Sequence, residues 1–494
     1  MLYISAQPDQ LYFIWQLEIQ LRNLFSLGIL KENIQVIVGY HKENGINPLF
    51  QKFIDDNKHL AQFYTYPDLR KNSRYTSSIR PNILKQHFKK FPLLSTRTVM
   101  YHDSDILFSR IPKIDNVEKN DICYVSDTRS YLDMRYIRRT ASEELLDEML
   151  KIVGISKAKV VQEDEQTGGA QYVLKGITAP FWEKVERDSE NLYVAMTAYN
   201  LKIWENTYPW NKEYRSQKRG IQAWCADMWA VLWNLWLCGK KVEIHNELIF
   251  SWPISPIEHW DVFSIQHYSG NIENKMKDFK KNEYINYFPW YDEQLNSIPD
   301  STCSFKIVEI IKNRRQELDG MRKKYSKMEV LLYCDEQEQI TNTGSKSFIQ
   351  KNFDIDVGYC LHPTDNETNS DGMLFNHDRM LFIPADIVLS NDTLENIFDT
   401  IQLSDADWVY PLTDLHKVDA LFTETFSKVL DISLLEMNVG KMNTTNTDKL
   451  IFTLRPSGNY DQDLERYSDI IRYRNFDNHQ VLDINSLIFS LTYI

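Results

Sequence analysis

Residues 98–111, TVMYHDSDILFSRI, run as an apolar strand straight into two aspartates, Asp103 and Asp105, and then turn apolar again. Withdrawing an unpaired carboxylate from water costs on the order of several kcal/mol. A chain that ends a core strand in two of them must bring a compensating charge to the same place. A turn after the strand lets both carboxylates converge, and a hard divalent cation keeps both ionised. Mg²⁺ or Mn²⁺ takes one or two carboxylates and fills its other positions with phosphate oxygens and water, which predicts a substrate carrying a diphosphate.

The surrounding pattern is α/β. LYISAQ reads as a strand, FIWQLEIQLRNLFSLG as an amphipathic helix and NIQVIVGY as a second strand. A polar stretch containing RKNSRYTSSIRPNILKQHF precedes TVMYHDSD, and NDICYVSD follows as the next strand. Strands that end in polar residues and feed helices place a site at their carboxyl ends, where Ser5 and Gln7 of the first strand would meet a base and ribose. ELLDEMLKIVGI reads as a helix, QEDEQTGGAQYVLKGI as an acidic loop, a Gly-Gly turn and a strand, and AWCADMWAVLWNLWLCG as a helix. Trp224, Trp229, Trp233 and Trp236 recur at roughly helical spacing and are expected in the core. KVEIHNELIF and VFSIQHYSG read as strands.

With 494 residues, more than one domain is expected. The sequence divides into a domain over 1–304, a helical connector over 305–327 and a smaller α/β domain over 328–494. In the last, FIPADIVLS echoes HDSDILFS: Asp386 aligns with Asp105, and Pro384 stands where the first copy has Asp103. The apolar run and a following helix are expected to align too, so the second domain reads as a degenerate copy of the first. The net charge of −13 gives no general attraction to a phosphate backbone. The six cysteines form no CxxC pair, and no leader pattern or membrane-spanning apolar run is present, so a cytoplasmic location is expected.

The order strand, helix, strand, basic segment, HDSDILF resembles the nucleotide-sugar glycosyltransferases of the GT-A fold, and a second motif, IQHYSG, extends the likeness. The first strand-to-helix junction, AQPDQLYFIWQ, resembles that of hydroxyproline O-arabinosyltransferase-like and peptidyl-serine galactosyltransferase-like proteins, and HYSG resembles the H-x-x-G of glycogenin-like retaining families. The resemblance spans roughly residues 1 to 300. It implies a Rossmann-like mixed sheet, and a divalent cation on Asp103, Asp105 and His267. Imidazole favours Mn²⁺ over Mg²⁺. It also implies a nucleoside-diphosphate sugar as donor, a UDP-sugar foremost, carrying arabinose, galactose or glucose.

Further roles follow from the same resemblance. Gly270 would lie close to the diphosphate, and Arg80 and Lys85 would meet donor phosphates or sugar. Lys275 is a displaced counterpart of the phosphate lysine these families carry, since Glu273 stands near the usual place. Gln171 would face the anomeric carbon in a same-side displacement. Asp227 would hold sugar hydroxyls, although an acid in the first turn of a helix is also favourable by itself. The implied acceptor is a hydroxyl on a protein or glycan, with a hydroxymethylated base of phage DNA as the alternative. Two other classes compete. A HAD-type phosphatase also carries Asp-x-Asp at a strand end, but it needs Thr or Val where Leu107 stands. A non-catalytic sugar-binding protein is the other.

Overall fold

The computed structural model describes residues 1–207, 220–270, 272–285, 287–334, 344–361 and 377–403, with shorter stretches between 407 and 491. The chain forms two compact units. The first comprises Met1–Asn282 with Ser297–Glu309, and the second Glu283–Asn296 with Ile310–Ile494. The helix Ser304–Gly320 begins in one and ends in the other. Among the described residues, no helix is long and apolar enough to cross a membrane.

The first unit holds β1 (Leu2–Pro8), β2 (Ile34–Tyr40), β3 (Gln62–Pro67), β4 (Val99–Tyr101), β5 (Ile106–Phe108), β6 (Ile122–Asp127), β7 (Gly168–Leu174), β8 (Lys241–Ile244), β9 (Phe250–Ser251) and β10 (Ile265–His267). The α/β class expected from the alternation is observed, with a mixed sheet in the order β3-β2-β1-β4-β7-β6-β8. β1 to β4 are parallel; β7 runs against both β4 and β6, and β8 is parallel to β6. A small second sheet, β5-β10-β9, takes the chain directly after the two aspartates. The turn 102–105 therefore joins the last parallel strand of one sheet to the first strand of another.

Apolar pattern explains most of these elements. All of β1 except Pro8 is buried, as a strand covered on both faces must be. In the helix Ala226–Leu237, Trp229, Trp233 and Trp236 are almost fully buried, as the spacing predicts. Trp224 departs from that expectation at 63% exposed, because it lies in the 3₁₀ turn before the helix, where the helical period does not apply. The basic stretch before β4 folds largely as the helix Ile79–Lys90. Pro81 sits in its first turn, where a missing N–H costs nothing, and Ile79, Ile83, Leu84 and Phe88 supply the buried face. No helix of that kind follows β5, where the chain turns through 109–121, whereas the helix Asn391–Leu403 does follow the echo of this stretch in the second unit.

His87, on that helix, is fully buried between Tyr66 Oη (2.9 Å from Nδ1) and Gln35 Oε1 (2.9 Å from Nε2). Nε2 donates to the Gln35 amide oxygen, and the Tyr66 hydroxyl can donate to Nδ1, so both ring nitrogens are satisfied in the neutral imidazole. Burial first, then Lys90, lowers its pKa from 6.5 to about 4. The unfolded chain binds this proton more readily, so the stability His87 contributes is complete above pH 6.5 and drains away as the pH falls towards 4. Urea unfolding should show a loss of about 3 kcal/mol over that interval. A His87→Gln chain should lose distinctly less.

The second unit contains β11 (Lys323–Cys334), β12 (Phe353–Leu361), β13 (Arg379–Pro384), β14 (Ile387–Leu389), β15 (Asp407–Pro411), β16 (Asp414–Val418), β17 (Asn443–Asn446), β18 (Leu450–Leu454), β19 (His479–Val481) and β20 (Ile488–Leu491). β11 starts at Lys323, inside the stretch expected to be a helical connector. The larger sheet has the order β12-β11-β13-β18-β15-β19, and the smaller β14-β20-β16-β17.

Candidate active and metal site

The turn after β4 is pinned from below by one face of the helix Leu11–Ser26. Gln20 Nε2 donates to the carbonyls of Asp103 (2.9 Å) and Ile106 (3.2 Å). Gln16 Oε1 accepts from Ser104 Oγ (3.1 Å), and Asn23 exchanges two bonds with the backbone of Phe108 (2.7 and 2.9 Å). Gln16, Gln20 and Asn23 fall at i, i+4 and i+7, so they form a polar stripe along one side of the helix. The buried Gln16 and Gln20 and the partly buried Asn23 thereby satisfy polar groups of the turn and of the edge strand β5. Tyr268 N–H adds a bond to the Asp105 carbonyl (3.1 Å), tying β10 to the same turn.

On this frame, Asp103, Asp105 and His267 bring one ligand atom each to within 4.8 Å of one another. His267 Nε2 lies 3.3 Å from Asp105 Oδ1 and 3.8 Å from Asp103 Oδ2. Adjacent ligands of an octahedral cation bound at about 2.1 Å stand roughly 3 Å apart, so the spacing fits one small hard cation. The chemistry of the set, two carboxylates and an imidazole, suits a divalent cation. The ring of His267 is held by packing: Trp252 stacks on it (5.6 Å, 20°) and Phe250 meets it edge-on (5.1 Å). Gly270 follows with φ +106°, a conformation that L side chains rarely adopt, beside the Trp252 ring.

Each carboxylate gives its remaining oxygen to a basic side chain. Arg80 bridges Asp103 Oδ1 and Asp227 Oδ2, one nitrogen to each. Lys281 pairs with Asp105 Oδ2. Burial raises the Asp105 pKa, but Lys281 and His267 outweigh it and hold the group well below the usual carboxylate range. Asp103 moves the other way: burial raises it, and Arg80 offsets this only in part against the repulsion of Asp105. Burial opposes the charge on Arg80, yet Asp227, Tyr101 and Asp103 together keep its pKa well above the ordinary value. Tyr75 completes the group, its hydroxyl 2.7 Å from Asp227 Oδ1 and 2.6 Å from the Trp224 carbonyl.

Gln171 comes to this cluster through an irregularity of β7. The pairing of β6 with β7 shifts between Val125 and Ser126, and Ala170 adopts φ +69°. Such bulges re-aim side chains at the ends of strands. Gln171 is fully buried, and its Oε1 accepts the Asp103 N–H at 3.4 Å. Its Nε2 has no hydrogen-bond partner among the described residues. The bulge also explains Gly168, where an added Cβ would lie 2.4 Å from both the Ser126 carbonyl oxygen and Val125 Cγ2. Gly168→Ala should therefore cost about 1–3 kcal/mol in chemical unfolding and displace Gln171.

Not all the sequence-expected residues gather here. Asp103, Asp105, His267, Gly270, Arg80, Asp227 and Gln171 do. Ser5 and Gln7 are buried within β1, and Gln7 Nε2 holds the Ile37 carbonyl (3.0 Å). Lys85, five residues beyond Arg80, pairs with Glu186 (2.7 Å) on the long helix Ala179–Thr207. Lys275 is exposed. The lysine that reaches the aspartates is Lys281, six residues later, at the start of the 3₁₀ turn Lys281–Tyr284. The acidic loop is structural in its contacts: Glu163 pairs with Lys159, Asp164 accepts from Met134 N and Thr167, and Glu165 meets Arg129 and Arg135.

No protein-family model matches the chain, and no curated protein does. Among solved structures, the WbbM bifunctional glycosyltransferase matches at 10% identity and TM-score 0.34, over 64% of this chain and 50% of its own length. Mouse xyloside xylosyltransferase 1 matches at 6% identity and TM-score 0.26, over 54% of this chain and 97% of its own. The 4-diphosphocytidyl-2C-methyl-D-erythritol synthase of Anaerococcus prevotii DSM 20548 matches at 9% and 0.24, over 49% and 86%. Likenesses this weak carry no functional argument, and the site's own geometry must supply one.

Proposed function

We propose that the chain is a metal-dependent, retaining glycosyltransferase of GT-A type, moving a sugar from a nucleoside-diphosphate donor to a hydroxyl on a protein or glycan. The observation that carries this reading is the convergence of Asp103 Oδ2, Asp105 Oδ1 and His267 Nε2 at a strand end, with Arg80 and Lys281 on the opposite carboxylate oxygens. A divalent cation, Mn²⁺ in this reading, would supply positive charge to the departing diphosphate. Lys281 stands one carboxylate away from that charge and would take a phosphate oxygen. Arg80 fixes Asp103 and Asp227 relative to one another, so that the metal-binding and sugar-binding carboxylates share one rigid guanidinium.

The unspent Nε2 of Gln171, whose Oε1 accepts the Asp103 N–H, would donate to a hydroxyl of the transferred sugar. Asp227 would accept from another. Fixed dipoles and charges of this kind stabilise a developing oxocarbenium ion without reorganisation. The position of the aspartates argues against the phosphatase alternative: they follow β4, the fourth strand of the unit.

The test is a panel of nucleotide sugars, each scored for protection against thermal unfolding with and without Mn²⁺, alongside an assay for free phosphate. One donor class should raise the melting temperature in a Mn²⁺-dependent way, because a ligand at a hundred times its Kd adds about 2.7 kcal/mol to stability. Phosphate release without sugar transfer would instead support the phosphatase.

A further inference from the structure

Six strands of the larger sheet in the second unit repeat six of the first, leaving β3 and β9 of the first unit and β16 and β17 of the second outside the match. In the first, the order β2-β1-β4-β7-β6-β8 is parallel as far as β4, reverses at β7 and resumes with β6 parallel to β8. In the second, β12-β11-β13-β18-β15-β19 does the same, reversing at β18. The strands also occur in the same order along the chain. In each unit the strand after the reference carboxylate, β5 or β14, pairs antiparallel with a late strand, β10 or β20.

The ladders then carry one matched position to the other strands. Laying Asp386 on Asp105 places Phe382 on Tyr101. Tyr101 pairs with Ile4 on one side and Tyr172 on the other; Phe382 pairs with Leu331 and Phe452. Val125 then faces Tyr172 as Val409 faces Phe452, and Ile244 faces Val125 as Val481 faces Val409. Since the strand order and directions are shared, one matched position carried along the ladders assigns a position-by-position correspondence, and a slip of one residue would exchange the two faces of a strand.

That correspondence locates the counterparts of the metal site. Pro384 takes the place of Asp103, and Asp386 that of Asp105. Ser490 pairs with Ile387 as His267 pairs with Ile106. Ile451, one residue before Phe452, takes the place of Gln171 and is buried. We infer that the second unit is a duplicate of the first in which the metal position has been dismantled, so that the chain holds one metal centre and the second unit carries out no metal-dependent transfer. What the surviving centre does rests on the reading above; the correspondence does not.

The experiment is a Mn²⁺ titration of the full chain, with free Mn²⁺ followed by electron paramagnetic resonance. One ion per chain is expected, lost in Asp105→Asn and retained in Asp386→Asn. A second ion per chain that survives Asp105→Asn and vanishes in Asp386→Asn would overturn the inference and leave the first site's assignment standing, whereas a single ion behaving in that way would overturn both. The complementary variant rebuilds the ligands, Pro384→Asp together with Ser490→His, with its folding checked by thermal melting. It should bind one additional Mn²⁺ per chain, and that site should persist in the Asp105→Asn background. A folded double variant without the added site contradicts the correspondence. A native chain that binds no Mn²⁺ refutes both the reading of the first unit and the single metal centre inferred here.

Discussion

Arg80→Ala is expected to be among the most destabilising single changes in the first unit, costing about 3–5 kcal/mol in chemical unfolding. The guanidinium bridges a largely buried carboxylate, Asp227 at 10% side-chain exposure, and a partly exposed one, Asp103 at 23%. Removing it leaves both without their shared cation, with Asp105 and its negative charge close by. Arg80→Lys tests the geometry separately from the charge. A lysine supplies one point charge and cannot hold two carboxylates by a planar fork, so it should recover only part of the stability. Turnover should fall in both variants, and further in the alanine.

The largest effect on activity is expected from Asp105→Asn, a fall of about a thousandfold in metal-dependent turnover. The change keeps the side chain's shape and removes its charge. It takes a ligand from the metal position and a counter-charge from Lys281, whose side chain is 20% exposed. A loss in stability should accompany it, smaller than for Arg80→Ala because one ion pair is lost instead of two. His267→Ala should weaken Mn²⁺ binding while leaving both ion pairs in place, which separates the metal role from the structural one.

The carboxylate pair was legible because hydrophobicity marks a core strand and charge at its end has few physical explanations. His267 and Gly270 lie at the end of another strand, but it was the resemblance of HYSG to an H-x-x-G motif that linked them to the pair. Lys281 was not, because its position depends on how the turns between 272 and 281 bring a strand-distal lysine back to Asp105, and no periodicity records that path. Gln16, Gln20 and Asn23 were hidden within a helix whose amphipathic pattern was evident. The signal was present, three amides at helical spacing on one face, but it points to a buried turn only once that turn is known. The helix Ile79–Lys90 was masked by its basic residues and by Pro81, which reads as a breaker unless it is placed in a first turn. The duplication shows the same limit from the other side. A single echo, FIPADIVLS against HDSDILFS, was visible in the sequence, whereas the shared strand order and register depend on hydrogen-bonded partners far apart in the chain.

Donor turnover by chain stripped of metal with a chelator, with Mn²⁺ titrated back, tests the central claim most directly. The account predicts no turnover in the stripped protein, recovery that saturates with one Mn²⁺ per chain, and none at any Mn²⁺ concentration in Asp105→Asn. Turnover that proceeds without metal in Asp105→Asn would contradict it.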